Sequence, residues 1–217
     1  MLVGERMSTP VLTIEPDVPV QDALARMRKD KVRRYPVVDK RGKLIGIVTN
    51  TDLMNAQPSE ATTLSVWEIN YLLSKITVER VMTKQVIVTQ EDCPIEEAAR
   101  IMADNKIGGL PVMRGESLVG IITETDLFNI LLEMLGARKS GVRLTVELLD
   151  QPGKLHELSG AIYNLGGNIV GLGTMLGERA ETQNVTVKVN GVKLEDLKKA
   201  VTPIVERIID IRETSMA

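Results

Sequence analysis

The chain has 217 residues, 43% apolar and 26% charged, with 27 basic against 29 acidic side chains and a formal net charge of −2. That balance argues against a dedicated nucleic-acid binder, and the five aromatic residues (Tyr35, Trp67, Tyr71, Phe128, Tyr163) leave little for base stacking. A single Cys and a single His exclude an intrachain disulfide, a Cys-based zinc site and a multi-histidine metal centre.

Residues 11–14 are β-branched and apolar and predict a short strand. Pro19 opens a helix, with Val20, Ala23, Leu24 and Met27 on one face at helical spacing. Residues 35–38 and 44–49 predict two strands, joined by the turn Asp39-Lys40-Arg41-Gly42-Lys43. A second helix starts after Thr51-Asp52. Residues 59–76 carry an amphipathic stripe of Leu64, Trp67, Ile69, Leu72, Leu73 and Ile76, which predicts a linking helix.

The same order then returns. Shifted by 75 residues, Met7-Ser8 meets Met82-Thr83, Pro19 meets Pro94, Met27 meets Met102 and Pro36-Val37 meets Pro111-Val112. After a one-residue loop deletion, Gly46-Ile47-Val48-Thr49-Asn50-Thr51-Asp52-Leu53 meets Gly120-Ile121-Ile122-Thr123-Glu124-Thr125-Asp126-Leu127. A repeat of this length marks one structural unit used twice. Cys93 falls opposite Val18, a small apolar position, and His156 belongs to a different predicted domain, so no Cys-His dyad is expected. The matched Thr-x-Thr-Asp steps offer hydroxyls, a carboxylate and free backbone N–H groups at a strand-to-helix junction. That chemistry suits ribose and phosphate, and equally an N-cap.

After a Gly-rich linker at 136–141 the pattern changes. Strand 142–149, the turn Asp150-Gln151-Pro152-Gly153, a helix carrying Leu155, Leu158, Ile162 and Leu165, strands 168–176 and 184–189, helix 194–201 and strand 205–211 make βαββαβ, the ferredoxin-like unit.

The repeated Gly-apolar-apolar-Thr-x-Thr-Asp signature and the apolar-Pro-Val step resemble those of cystathionine-β-synthase-type (CBS) domains, which pair into one pseudo-symmetric module. The segment carrying Asp150-Gln151-Pro152-Gly153-Lys154-Leu155 and Gly167-Asn168-Ile169 resembles an ACT domain. The expected fold is α/β (α+β): two β-α-β-β-α CBS-type units at 1–58 and 77–138, the linking helix at 59–76, and an ACT domain at 141–213. This order is similar to that of the bacterial acetoin-utilisation protein B family.

The CBS resemblance implies adenosyl-nucleotide binding by Leu12, Val32, Arg33, Arg34, Thr49, Thr51 and Asp52 in the first unit. In the second it implies Ile87, Ile107, Gly108, Gly109, Thr123, Thr125 and Asp126. Nine basic residues between positions 26 and 43 stand against Asp30 and Asp39. The half-site at Thr49, Thr51 and Asp52, beside Arg33 and Arg34, is therefore expected to take the phosphate-rich ligand. The ACT resemblance implies dimer contacts and an amino-acid ligand at Asp150, Gln151, Pro152, Gly153, Lys154, Leu155, Asn168 and Ile169.

The chain shows neither a carboxylate cluster for metal nor a nucleophile with its base, so a non-enzymatic regulator is expected, without metal or catalytic cofactor. It would act as a cytoplasmic homodimer, without a nucleic-acid or membrane partner, on a protein of acetoin or acetate metabolism. The competing expectation is a dimerising scaffold whose ligand sites are vestigial.

Overall fold

In chain order, a 3-10 turn at Val3–Glu5 precedes helix α1 (Val20–Asp30), strands β1 (Arg34–Val38) and β2 (Leu44–Thr49), and helix α2 (Asn50–Asn55). The second repeat follows with α3 (Val78–Val81), β3 (Thr89–Gln90), α4 (Ile95–Asn105), β4 (Gly109–Arg114), β5 (Ser117–Thr123) and α5 (Glu124–Met134). The C-terminal elements are β6 (Gly141–Leu149), α6 (Lys154–Asn164), β7 (Asn168–Leu176), β8 (Thr182–Asn190), α7 (Leu194–Val201) and β9 (Arg207–Thr214). They come from a computed structural model that describes residues 1–56 and 75–215. Most of the linking helix expected at 59–76, with Leu64, Trp67, Ile69, Leu72 and Leu73, lies outside the described residues. Ile76 lies inside them and packs on the first repeat's core.

The repeat is visible in burial. Val20, Ala23, Met27, Tyr35, Val37 and Val48 are buried in the first unit, and Ile95, Ala98, Met102, Leu110, Val112 and Ile122 in the second. Each helix presents its apolar face to a hairpin, β1 with β2 or β4 with β5, both antiparallel. Both first helices end on a lysine in the left-handed region, Lys31 at φ 56° and Lys106 at φ 53°.

The strands expected ahead of α1 and α4 are shorter than the sequence implies. Only Ile14 bridges to Val37 in the first unit, and only Thr89 and Gln90 pair with β4 in the second. In the first unit, Leu12 lines a cleft instead of joining a ladder.

The leading segments cross over. Ser8 pairs with Ile121 on β5, and Thr83 pairs with Ile47 on β2. Leu2 bridges to Pro94, and Pro19 bridges to Thr77. Val3 donates its N–H to Cys93 O at 2.9 Å, and Val78 donates to Val18 O at 2.9 Å. Each repeat therefore closes with the turn that precedes the other, and residues 2–8 belong by pairing to the second unit rather than the first.

The chain divides into two compact units, Met1–Leu127 and Phe128–Ala217, the division falling inside α5. At Gly171 a Cβ would meet the Leu135 carbonyl carbon at 2.5 Å, so the backbone just after α5 lies directly against β7. The C-terminal unit has the expected βαββαβ order. Its sheet runs β7-β8-β6-β9, with both central strands flanked by antiparallel neighbours. Val142, Leu144, Val146 and Leu148 of β6 and Val185, Val187 and Val189 of β8 bury one sheet face with Leu158, Ile162, Leu197 and Val201 of the two helices.

Candidate functional site

The two Thr-x-Thr-Asp steps fold as helix N-termini. In the first, Thr49 caps α2: its hydroxyl accepts from Asp52 N at 3.2 Å and donates to Asp52 Oδ2 at 2.7 Å, while Thr49 N donates to the same oxygen at 2.8 Å. In the second, Asp126 Oδ2 accepts from Thr123 N at 2.8 Å and from Thr123 Oγ1 at 2.7 Å. The full capping box is realised in the first repeat, and its carboxylate half in the second. One oxygen of each carboxylate does the capping; Oδ1 of Asp126 is uncommitted among the described residues. The hydroxyls of Thr49 and Thr123 donate to their own aspartates, so they are not free donors for a phosphate. Thr51 and Thr125 are exposed.

A cavity of about 550 Å3 opens beside the second step. That volume suits a small-molecule ligand. Its wall combines Thr123, Thr125 and Asp126 with Leu12, Val32, Arg33 and Arg34 of the first repeat, and with Gly108. The sequence places Arg33 and Arg34 with Thr49, Thr51 and Asp52. Their backbone does lie there, since Arg34 pairs with Thr49 and Asn50 N donates to Arg33 O at 2.8 Å. Yet these residues line the cavity of the other repeat's aspartate. Tyr35 points into its own core, so the pleat turns Arg34 outward, toward the second repeat.

Sequence reasoning missed Ser8, Pro10, Lys31, Ile121 and Glu124, which also line this cavity. The matched Met-Ser and Met-Thr steps were the available signal for Ser8, because Ser8 bridges directly to Ile121. Ile87, Ile107, Gly109, Thr49, Thr51 and Asp52 are not part of its lining.

Arg34 is half-buried. Burial pulls its guanidinium below its ordinary value; the Glu124 carboxylate opposes that and the Arg33 cation adds to it. The group stays cationic under all ordinary conditions. Its place depends on the two glycines opposite. A Cβ on Gly108 would lie 2.6 Å from Arg34 Nη2 and 2.8 Å from Glu124 Oε2, and one on Gly109 would collide with Arg34 Nη1. Here glycine provides room for a guanidinium.

In the C-terminal unit, residues 150–153 are exposed at the mouth of α6, whose N-cap Gly153 has φ 92°. Lys154 donates to Glu157 at 2.8 Å, and Leu155 is partly exposed. Asp150 shares a cavity of about 790 Å3 with the β7–β8 turn, including Leu176, Arg179 and Thr182. Asn168 and Ile169 lie at the opposite end of the sheet, opposite Asn190 and Val189. Strands β6 and β7 are parallel, so the chain returns along α6 before β7 begins. Eight residues of strand, roughly 25 Å, separate the two sets within one chain. The expected ACT ligand residues therefore do not converge on one site in a single copy. Among the described residues no group of three or more His, Cys, Asp or Glu could hold a metal ion. No helix among them is long and apolar enough to cross a membrane.

Comparison with known proteins gives this geometry a family. The CBS domain model matches residues 3–59 and 78–133, and the TTHA0829-like ACT domain model matches residues 140–212. A CBS domain-containing protein of Dictyostelium discoideum is 32% identical over 136 residues, 62% of this chain and 94% of that protein. The L-aspartate semialdehyde sulfurtransferase of Methanocaldococcus jannaschii is 31% identical over 127 residues, 58% of this chain but only 22% of the enzyme.

Among solved structures, the CBS domain pair of protein MJ0100, in complex with 5′-methylthioadenosine and S-adenosyl-L-methionine, aligns with TM-score 0.52 and 30% identity over 64% of this chain and 98% of that one. A Vibrio cholerae protein designated AcuB, for acetoin utilization, gives 0.53 and 31% over 63% and 93%. CBSX2 in complex with AMP gives 0.52 and 28% over 61% and 97%. With two interlocked repeats, a cleft at the capping aspartate, and family matches spanning more than half its length, the chain belongs to the CBS-domain family, as a tandem pair followed by a TTHA0829-like ACT domain.

Proposed function

We propose that this chain is a non-enzymatic regulatory protein that senses an adenosyl nucleotide of the AMP, ADP or ATP type in the cleft beside Asp126. The carrying observation is the composition of that one cavity. Leu12, Val32 and Ile121 provide apolar surface for a base. Asp126 offers an uncommitted carboxylate oxygen to vicinal hydroxyls. Lys31, Arg33 and Arg34 stand ready for phosphate. The ligands of the MJ0100 and CBSX2 structures support this reading. In the same proposal the protein works as a cytoplasmic homodimer and acts on a protein partner. Its link to acetoin or acetate metabolism rests on the likeness to AcuB. An amino acid at the ACT domain would need residues of two copies, because Asp150 and Asn168 stand at opposite sheet ends.

The test is thermal shift with AMP, ADP, ATP, 5′-methylthioadenosine and S-adenosylmethionine. At about 100 times its dissociation constant a ligand adds about 2.7 kcal/mol to stability. We expect a shift that Asp126→Ala abolishes and Asp52→Ala leaves in place. Each variant costs about 1 kcal/mol of capping on its own. No shift with any ligand, after removal of co-purified nucleotide, overturns the reading. It would favour the scaffold, for which both aspartates already have a sufficient role as caps.

A further inference from the structure

We propose that a groove at the turn end of the two hairpins docks an extended, acidic segment of a partner protein, which adds as a strand along residues 86–90. The cleft at Asp126 lies at the other end of the same hairpins, where Arg34 pairs with Thr49 and Gly109 with Thr123. The inference holds whether or not a nucleotide occupies that cleft.

The first observation is an open backbone edge. Thr83 exchanges both backbone hydrogen bonds with Ile47 at 2.9 and 3.0 Å, and Thr89 pairs with Val112 on β4. Between these two anchors, residues 84–88 make no backbone hydrogen bond among the described residues. Glu91 N donates to Met113 O on β4 at 3.0 Å. Backbone groups alternate sides along a strand, so those of Val86, Val88 and Gln90 face away from β4. Cys93 N takes Gln90 O at 3.1 Å, which leaves Gln90 N–H and both groups of Val86 and Val88 for another strand. Because the segment is held at both ends, its edge is ordered before anything docks.

The second observation is what lies beside that edge. A cavity of about 700 Å3 is lined by Lys84, Val86, Val88 and Gln90 in alternation, while Ile87 is not part of it. Leu44, Met113 and Leu118 extend its apolar floor. Met113 is buried, and Leu44, Val86, Val88 and Leu118 are half-buried. A docked strand turns every second side chain toward this floor, so the segment needs apolar residues at alternate positions.

The third observation is charge. Arg41, Lys43 and Lys84 rim the cavity, exposed and without an ion pair among the described residues, and Glu116 stands with them in the lining. The acid of the first turn, Asp39, uses one oxygen to accept from Arg41 N at 2.8 Å and Lys43 N at 2.9 Å. At the places matched to Lys84, Val88 and Gln90 the first repeat has Thr9, Thr13 and Glu15, so that edge carries an acid in place of a cation. Three cations over an apolar floor fit a segment that alternates apolar and acidic residues. They do not suit a nucleic acid, since the lining has no aromatic surface for bases.

The experiment is fluorescence polarisation of the full chain with a labelled peptide of about seven residues alternating Val and Glu, the length of a short strand. It is repeated with Lys in place of Glu, and with the backbone amides N-methylated at alternate positions, in each of the two registers. The acidic peptide should bind with a Kd below about 1 mM, and more weakly as salt rises. The Lys peptide should not bind, and N-methylation in one register should weaken binding about tenfold. Lys43→Glu combined with Lys84→Glu should weaken it about tenfold. Val88→Thr, which places there the residue of the matched position, should weaken it severalfold. Lys43 and Lys84 are exposed, so their variant should melt with the wild type and keeps the test open even where Val88→Thr folds poorly.

No binding up to about 1 mM, equal binding of the Lys peptide, or indifference to N-methylation in both registers overturns the proposal. Displacement by tripolyphosphate as readily as by unlabelled peptide also overturns it, since the groove would then be a simple anion site. A dimer in light scattering that the double Lys→Glu variant turns into monomer overturns it too, by making the occupant a second copy. No nucleotide enters these titrations, so their failure leaves the reading of the Asp126 cleft standing, and failure of that reading leaves this one.

Discussion

Tyr35 shows how a single residue ties helix to sheet in the first repeat. Its ring is buried among the first repeat's apolar side chains, and its hydroxyl donates to Asp30 Oδ2 at 2.6 Å. Burial pushes its ionisation upward, and the hydrogen bond to Asp30 and that carboxylate's charge push it further. The folded chain therefore holds this proton more tightly than the unfolded chain does. The contribution is intact below about pH 10, the ordinary tyrosine value, and fades as pH rises beyond it. Tyr35→Phe should cost about 1 kcal/mol at neutral pH. In urea titrations that cost should shrink at pH 10.5 relative to pH 8. An unchanged difference between the two pH values would show that the hydroxyl contributes nothing specific. At the same scale, Asp52 and Asp126 were legible in the sequence as caps and as ligand carboxylates. Their sharing of oxygens with Thr49 and Thr123 was not, because a motif names donor types without naming who receives them.

At the scale of elements, helices and strands follow from local pattern. The apolar spacing of α1 and α4 places Val20, Ala23 and Met27, or Ile95, Ala98 and Met102, on the buried face. Their ends are less obvious, since each stops on a left-handed lysine where glycine is the usual residue. A left-handed conformation costs a non-glycine residue about 1 kcal/mol. Lys106→Gly should therefore stabilise the chain by up to about 1 kcal/mol in denaturant melts, since Lys106 lines no described cavity. A loss of stability instead would mean that the lysine side chain makes up for its backbone. The β-branched residues 11–14 predict a longer first strand than the single Ile14–Val37 bridge that forms. Strand propensity marks a chain that can extend, but pairing partners decide whether a ladder forms, and Leu12 lines a cleft instead.

At the scale of the molecule, the crossing of the leading segments governs both the core and the cleft. Val3 is fully buried only seven residues before Pro10, and it occupies the place in the second repeat that Val78 takes in the first. Val3→Ala should destabilise the chain by about 2 kcal/mol, a large effect for a position so close to the N-terminus. A change within about 0.5 kcal/mol, the size ordinary for surface sites, would show that the N-terminal segment does not close the second repeat. The crossing also brings Ser8, Pro10 and Leu12 into the cavity of Asp126.

The sequence by itself determined the repeat and its register, the helix faces, the capping aspartates and the βαββαβ order of the C-terminal unit. All of these are written in spacing along the chain, where neighbours are set by covalent geometry. Only the tertiary structure decided which repeat's aspartate the arginines serve, why Gly108 and Gly109 stand opposite Arg34, and that Asp150 and Asn168 lie at opposite ends of one sheet. Those relations depend on strand pairings between residues far apart in sequence, and each strand's own pattern reports which face is apolar but not which partner lies across it.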